Sequence, residues 1–408
     1  MSDLISVAEA LARVLASVPV PVGPEEVAIG EAAGRTLAQE VAASRDQPPF
    51  PASAMDGYAV RVEDIAIVPR TLAVIGISAA GRRFADHVGT GQAVRIFTGA
   101  PVPAGADAIV IQEDTEAGEG KVTVHAEVAV GRHIRPAGLD FRSGDVLAQA
   151  GDRLDARRLA LAAATGHGQV AVRRRPKVAV LATGDELVRP GDPVAPDQIV
   201  ASNPYALRAI IERAGGEVVD LGIARDSFAD LERAFAAARS AEADLLVTLG
   251  GASVGDHDLV QSALAREGMK LGFWRVALRP GKPLMHGRLG RTILIGLPGN
   301  PVSSIVCGIL FVVPAIRALL GDSQAGEDPT EAAVLGKPLA ENDGRQDYMR
   351  AALGRTPEGG FVATAQARQD SSMLSVLAAS EALIVRPPRA PAVAAGEPCR
   401  IIRLDRFC

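Results

Sequence analysis

Residues 245–258 read Leu-Leu-Val-Thr-Leu-Gly-Gly-Ala-Ser-Val-Gly-Asp-His-Asp. The first five form a short, mostly apolar run of the kind buried on both faces of a parallel sheet, and the pair Gly250-Gly251 halts it. Gly250, Gly251 and Gly255 let the backbone turn tightly and come close to a ligand, while Ser253, Asp256 and Asp258 set polar groups beside it. A helix is expected over residues 259–266. Strand, glycine loop and helix together form the anion-binding edge of an open α/β sheet. Taken alone, Gly-Gly is only a turn, so its neighbours decide.

Those neighbours alternate. Strands are expected at residues 178–181, 218–221, 245–249 and 292–297, with helices at 205–214, 228–239 and 302–320. Asn203 is positioned to cap the first helix, with Pro204 at its first position and Gly215-Gly216 at its end. The pattern predicts a doubly wound, mostly parallel α/β domain over residues 177–322. Three strand ends are specialised: Thr183-Gly184-Asp185-Glu186, the 250–258 loop, and Pro298-Gly299-Asn300-Pro301. They should converge on one crevice. A further loop, Arg279-Pro280-Gly281-Lys282-Pro283, carries two cations on a stiff turn.

Glycine-freed amides and helix N-termini attract phosphate there, and Arg279 with Lys282 adds charge for a second anion. Asp185, Glu186, Asp226, Asp256 and Asp258 would repel an anion unless a hard divalent cation intervened, and Mg²⁺ is the natural mediator. An acidic residue in a helix's first turn often serves only the dipole, and that reading stays open for Asp185 and Asp226.

Elsewhere, Ser6-Val7-Ala8-Glu9 is a capping box opening a helix of about three turns. Residues 47–59 form a proline-stiffened loop ending in the Asp56-Gly57 turn, and short β-branched runs at 94–97, 108–111 and 122–124 predict a small β domain. Asp155 can cap a helix to about Thr165. Residues 173–177, Arg-Arg-Arg-Pro-Lys, read as a solvated basic linker. After a polar stretch at 321–330, the runs 348–353, 361–364, 383–385 and 399–404 predict a β-rich C-terminal domain. The expected division is an elongated N-terminal domain (1–45 with 144–176, its first helix packing on the α/β domain), an inserted β domain (46–143), the α/β domain (177–322) and the C-terminal domain (330–408).

At 408 residues, 48% hydrophobic and 22% charged, the chain reads as globular and multidomain. A net charge of −5 and an aromatic fraction of 3% argue against a nucleic-acid grip. Three widely spaced cysteines, Cys307, Cys399 and Cys408, make neither a disulfide framework nor a zinc site, which suggests reduced thiols and a cytoplasmic setting. No apolar run is expected to reach the ~20 residues that span a bilayer, and no export signal is read. P-loop, dinucleotide-fingerprint and His-Glu-x-x-His patterns are missing from the sequence.

Six motifs then occur in order: Pro49-Phe-x-x-Ser-Ala-Met-Asp-Gly-Tyr-Ala59, Thr98-Gly-Ala-Pro-x-Pro-x-Gly-Ala-Asp107, Ala182-Thr-Gly-Asp-Glu-Leu187, Gly250-Gly-x-Ser-Val-Gly-x-x-Asp258, Pro280-Gly-Lys-Pro283 and Leu297-Pro-Gly-Asn-Pro301. Over nearly its whole length the chain closely resembles the bacterial molybdopterin molybdenumtransferases, relatives of the C-terminal part of gephyrin. The resemblance implies a MogA-like α/β domain and an elongated homodimer that inserts molybdate into adenylylated molybdopterin with Mg²⁺, releasing AMP. It implies that Asp56 and Thr98, with Asp140 nearby, face the partner's crevice, and that Glu186, Asp226 and Asp258 serve Mg²⁺ and the adenylate. Ser253, Arg279, Lys282, Pro283, Arg345 and Ser371 match molybdate-binding positions, and residues 298–301 would hold the pterin or nucleotide end. Other cofactor-biosynthesis proteins and molybdoenzyme chaperones are further partners it suggests; nucleic acid and membrane are not. Arg279 stands where many members have lysine, Ala252 where valine is usual and Pro51 where aspartate is frequent. Two alternatives stay open: a non-catalytic pterin-binding scaffold, and an ATP-dependent molybdopterin adenylyltransferase.

Overall fold

Apolar runs that end in glycine or proline become the central strands. In the computed structural model, which describes residues 4–251 and 259–408, Glu217–Ala224, Lys177–Thr183, Leu245–Leu249 and Thr292–Leu297 lie side by side in that order and parallel. Leu245–Leu249 is buried along its whole length, as its composition requires. Val178, Val180 and Val247 pack against Leu207 and Ile211 on one face, and Leu181 and Leu246 against Leu231 and Phe235 on the other. The sheet continues through two antiparallel strands, Met285–Leu289 and Lys270–Trp274. Neither is legible in the sequence. Met-His-Gly-Arg-Leu has weak strand character, and pairing with Thr292–Leu297 on one side and Lys270–Trp274 on the other sets its conformation.

The apolar stretch expected as one helix is three segments: Pro301–Cys307, a π-helical turn Gly308–Val312, and Val313–Leu319. Pro314 supplies no N–H, and Val313 donates five residues back to Gly308, so the spacing widens just before the proline. The 19 residues of Pro301–Leu319 are long and apolar enough to cross a bilayer, correcting the expectation from sequence, but 83% of that window is buried in the core.

Val7–Ala16 is capped by Ser6 as read, with Glu9 N–H donating to Ser6 Oγ at 3.1 Å, while the Glu9 carboxylate accepts from Arg13 rather than closing the box, and Val7, Ala10 and Val14 pack into the α/β core. Pro24–Ala28 pairs with Gln169–Arg173, and Val41–Ala42 with Val146–Ala148, so segments on either side of the β insertion meet. The linker is less solvated than its charge suggests. Arg174 holds Asp244 through two 2.8 Å bonds. The insertion is a six-stranded sheet in which Gly57–Val60 lies between Ala108–Ile111 and Gln92–Ile96. In the C-terminal region, Gln346–Arg355 pairs with both Phe361–Ala365 and Ala382–Arg386, closing the sheet into a barrel, and Leu278–Arg279 joins it in parallel.

Candidate functional site

Lys177–Thr183 is followed in sequence by Glu217–Ala224 on one side of it and then by Leu245–Leu249 on the other. Strand order therefore reverses between Lys177–Thr183 and Leu245–Leu249, and open α/β sheets bind ligands beyond the carboxyl ends at such a point. A crevice of about 790 Å³ opens there. Thr183, Gly184 and Glu186 form one wall, Gly250 and Gly251 a second, and residues 298–301 a third, with Asp226 and Pro283 also on the lining. Two of the expected strand ends thus meet as read, and Gly250 and Gly251 bring in the third. Ser253, Gly255, Asp256, His257 and Asp258 lie outside the described residues.

The floor is bare backbone because two glycines leave no alternative. Gly250 has φ 96° and a Cβ there would stand 2.8 Å from the Thr183 carbonyl oxygen; Gly251 has φ 64° and its Cβ would meet Val260 Cγ2 at 2.2 Å. Asn203 Nδ2 donates to Gly299 O at 2.7 Å and to Ser304 Oγ at 3.3 Å, while Ser304 Oγ donates to Pro298 O. This corrects the expected cap. Ser202 is the N-cap of the Asn203–Ala214 helix, and the Asn203 side chain braces the 298–301 loop instead.

Asp185, Glu186 and Asp226 are all exposed at this edge, and the Asp226 N–H donates to Asp185 Oδ1 at 3.2 Å. Neither Asp185 nor Asp226 occupies a helix's first turn: Ser227 caps Phe228–Ser240 and Asp230 is its first-turn acid. The dipole reading therefore fails for both. Lost hydration first, then the charges of Asp185 and Glu186, hold the Asp226 carboxyl above its usual range. Just above the ordinary carboxylate pKa the folded chain retains a proton that the unfolded chain has released, so this group's contribution to stability falls as pH rises. Asp226→Asn is accordingly expected to raise the thermal midpoint of the metal-free protein at neutral pH, with the gain shrinking in acid. Calorimetry across a pH series checks this; a gain independent of pH would contradict it.

In the β insertion, Asp56 Oδ1 accepts the Thr98 N–H at 2.7 Å and the Thr98 hydroxyl at 2.8 Å, bonds that hold its carboxyl below the usual range. Arg95 stacks on Tyr58 and on Phe97, 5.0 Å from each ring centroid, and Ile134–Arg135 pairs with Ala52–Ser53, so the Asp56 loop is braced from two sides. Asp140 is exposed, its N–H donating to Gln47 O at 2.9 Å. Asp56, Thr98 and Asp140 do not line the crevice of their own chain.

The cationic loop is partly neutralised. Arg279 donates to Asp347, to Asp343 at 3.2 Å and to Asn342 at 3.2 Å, while Arg345 donates to Asp343 at 2.8 Å. Asp343 thus bridges both arginines, and the bond from Arg345 holds its carboxyl down at about 2. Lys282 is exposed. Ser371 Oγ accepts from Asn300 Nδ2 at 2.9 Å, and Ser371 O from the Val302 N–H at 3.1 Å, docking the C-terminal loop on the third wall. Arg279→Ala would leave Asp347, 7% exposed, without its cation; a loss of about 2 kcal/mol in denaturant titration is expected, discounted because Arg279 is half-exposed.

The MoeA N-terminal region (domain I and II) family model matches residues 5–166, the probable molybdopterin binding domain residues 179–318, and the MoeA C-terminal region (domain IV) residues 332–404. A molybdopterin molybdenumtransferase of Haemophilus influenzae is 36% identical over 395 residues, 97% of each chain. The chain belongs to the molybdopterin molybdenumtransferase family. A relative of that name from Nostoc is 37% identical over 388 residues, 93% of this chain and 88% of its own. The solved molybdopterin biosynthesis MoeA protein of Pyrococcus horikoshii superposes with a TM-score of 0.85 at 28% identity, covering 98% of this chain and 99% of that one.

Besides Asn203, the sequence reading misses Arg350. It is 1% exposed, donates to the Asp370 carbonyl at 3.0 Å and the Arg368 carbonyl at 3.5 Å, and so supports the loop bearing Ser371. The motif Gly344-Arg-Gln-Asp-Tyr-Met-Arg350 displays two arginines, and burial alone tells the half-buried Arg345 from the fully buried, supporting Arg350.

Proposed function

We propose that this chain is a molybdopterin molybdenumtransferase: water cleaves the phosphoanhydride of adenylylated molybdopterin, giving AMP and the pterin's own phosphate, and molybdate is bound by the dithiolene sulfurs with loss of an oxo ligand as water, to give molybdenum cofactor. The observation that carries this reading is the meeting of three loops at the strand-order reversal, with glycine backbone for a phosphate, carboxylates on one side and Pro283 of the cationic loop on another. Thr183, Gly184, Asp185, Gly250, Gly251, Gly255 and residues 298–301 cradle the pterin and phosphates in this reading. Ser253, Arg279, Lys282, Pro283, Arg345 and Ser371 receive molybdate.

Mg²⁺ belongs to the proposal. Among the described residues no set of three His, Cys, Asp or Glu side chains is placed to hold a metal unaided. The donors present still suit it: Glu186 and Asp226 offer hard oxygens, and the repulsion felt by Asp226 is what a divalent cation would relieve. Glu186, Asp226 and Asp258 would hold it, and when bound it would offset charge on the departing AMP. The protein's own part is positioning and charge neutralisation in a preformed cleft.

We further propose a cytoplasmic homodimer in which Asp56, Thr98 and Asp140 complete the other chain's crevice. Their hydrogen-bonded, exposed arrangement away from their own crevice supports that reading. The domains divide as 1–45 with 144–176, 46–143, 177–322 and 330–408. The deciding assay is AMP release from adenylylated molybdopterin with molybdate and Mg²⁺. No AMP above the protein-free control would overturn the function, and ATP consumption without molybdate would favour the adenylyltransferase.

A further inference from the structure

Asn203 has one unspent hydrogen-bonding atom, and its orientation follows from its partners. Gly299 O can only accept, so the group 2.7 Å from it must be the amide nitrogen of Asn203, whose Nδ2 also lies 3.3 Å from Ser304 Oγ. Both amide hydrogens are thus committed to the wall of the crevice, and the carboxamide cannot flip without setting its oxygen against a carbonyl. Asn203 itself lines the crevice, beside Gly299 and Asn300. No hydrogen bond to Oδ1 is seen among the described residues, and helix capping does not consume it, since Ser202 is the N-cap.

We infer that Asn203 Oδ1 is a fixed acceptor that selects a ligand presenting an N–H donor at this wall, the exocyclic amine of a nitrogen heterocycle. An acceptor locked by two donated bonds costs little further ordering on binding, and it meets a ligand carbonyl as acceptor against acceptor. This deepens the proposed function, on which it rests: adenylylated molybdopterin carries such an amine on its adenine and another on its pterin, and either could be the group read.

Calorimetric titration of the whole protein separates these. AMP is compared with inosine monophosphate, and pterin with lumazine, each second ligand replacing an exocyclic amine by a carbonyl. In wild type one pair should differ roughly tenfold in Kd, the size of one hydrogen bond exchanged for a repulsion, and the pair that differs identifies the source. In Asn203→Ala the ratio should collapse towards one even where both affinities fall. Equal Kd values within both pairs in wild type would overturn the inference with no reliance on the variant folding. A ratio that survives in a folded Asn203→Ala would overturn it too. If neither AMP nor pterin binds, the reading of the crevice as the substrate site falls, and this inference with it.

Discussion

Glu186→Gln is expected to slow AMP release by about 10²–10³-fold, the usual scale for removing one electrostatic stabiliser from a preorganised site. Glutamine keeps the side chain's length and hydrogen-bonding shape but removes the charge from the wall shared with Gly184. The carboxylate folds back over that loop, so closely that a Cβ on Gly184 would stand 2.3 Å from Glu186 Oε2. In the proposed function that charge holds Mg²⁺ against the leaving nucleotide. Unfolding would not account for a loss, because Glu186 is one of the charges that raise the Asp226 pKa, and removing it relieves repulsion in the metal-free fold. Single-turnover AMP release, followed alongside thermal melting, checks both halves. Equal rates for the two proteins would remove Glu186 from the site.

The largest expected loss of stability comes from Gly57→Ala. Gly57 lies in the strand Gly57–Val60, paired on both sides, and a Cβ would fall 1.9 Å from the Val110 carbonyl oxygen and 2.9 Å from its carbon. Those atoms are backbone, so no rotamer change can make room, and a strand must shift inside a sheet whose core residues Val60, Ala93 and Val110 are wholly buried. We expect at least about 3 kcal/mol of destabilisation, at the upper end for overpacking. A denaturant midpoint equal to wild type would contradict this close approach. Because Asp56 precedes Gly57, the same change should loosen the bonds from Thr98 and reduce turnover in whatever fraction remains folded.

The Gly57 case separates what was legible from what was not. Asp56-Gly57 reads as a turn from the sequence, and a turn accounts for those two residues by themselves. That glycine is required there because a neighbouring strand passes within contact distance is a fact about Val110, more than fifty residues away, a span of sequence across which local pattern carries no information. Arg174 reads as solvated for the same reason, since Asp244 is its partner only in the fold. Arg279 reads as a free cation until Leu278–Arg279 pairs with Gln346–Arg355 and brings Asp347 to it.

The sequence by itself determined the alternating strands and helices, the parallel centre of the sheet, the glycine loops at its carboxyl edge and the family, because apolar period, glycine and proline act on their immediate neighbours. Only the tertiary structure decided which polar groups those loops share: Asn203 turned from a helix cap into a brace for Gly299, Arg350 buried behind Ser371, and Arg279 tied to Asp347. Hydrogen bonds and charges of this kind depend on distance in space, and the folded chain alone sets that distance.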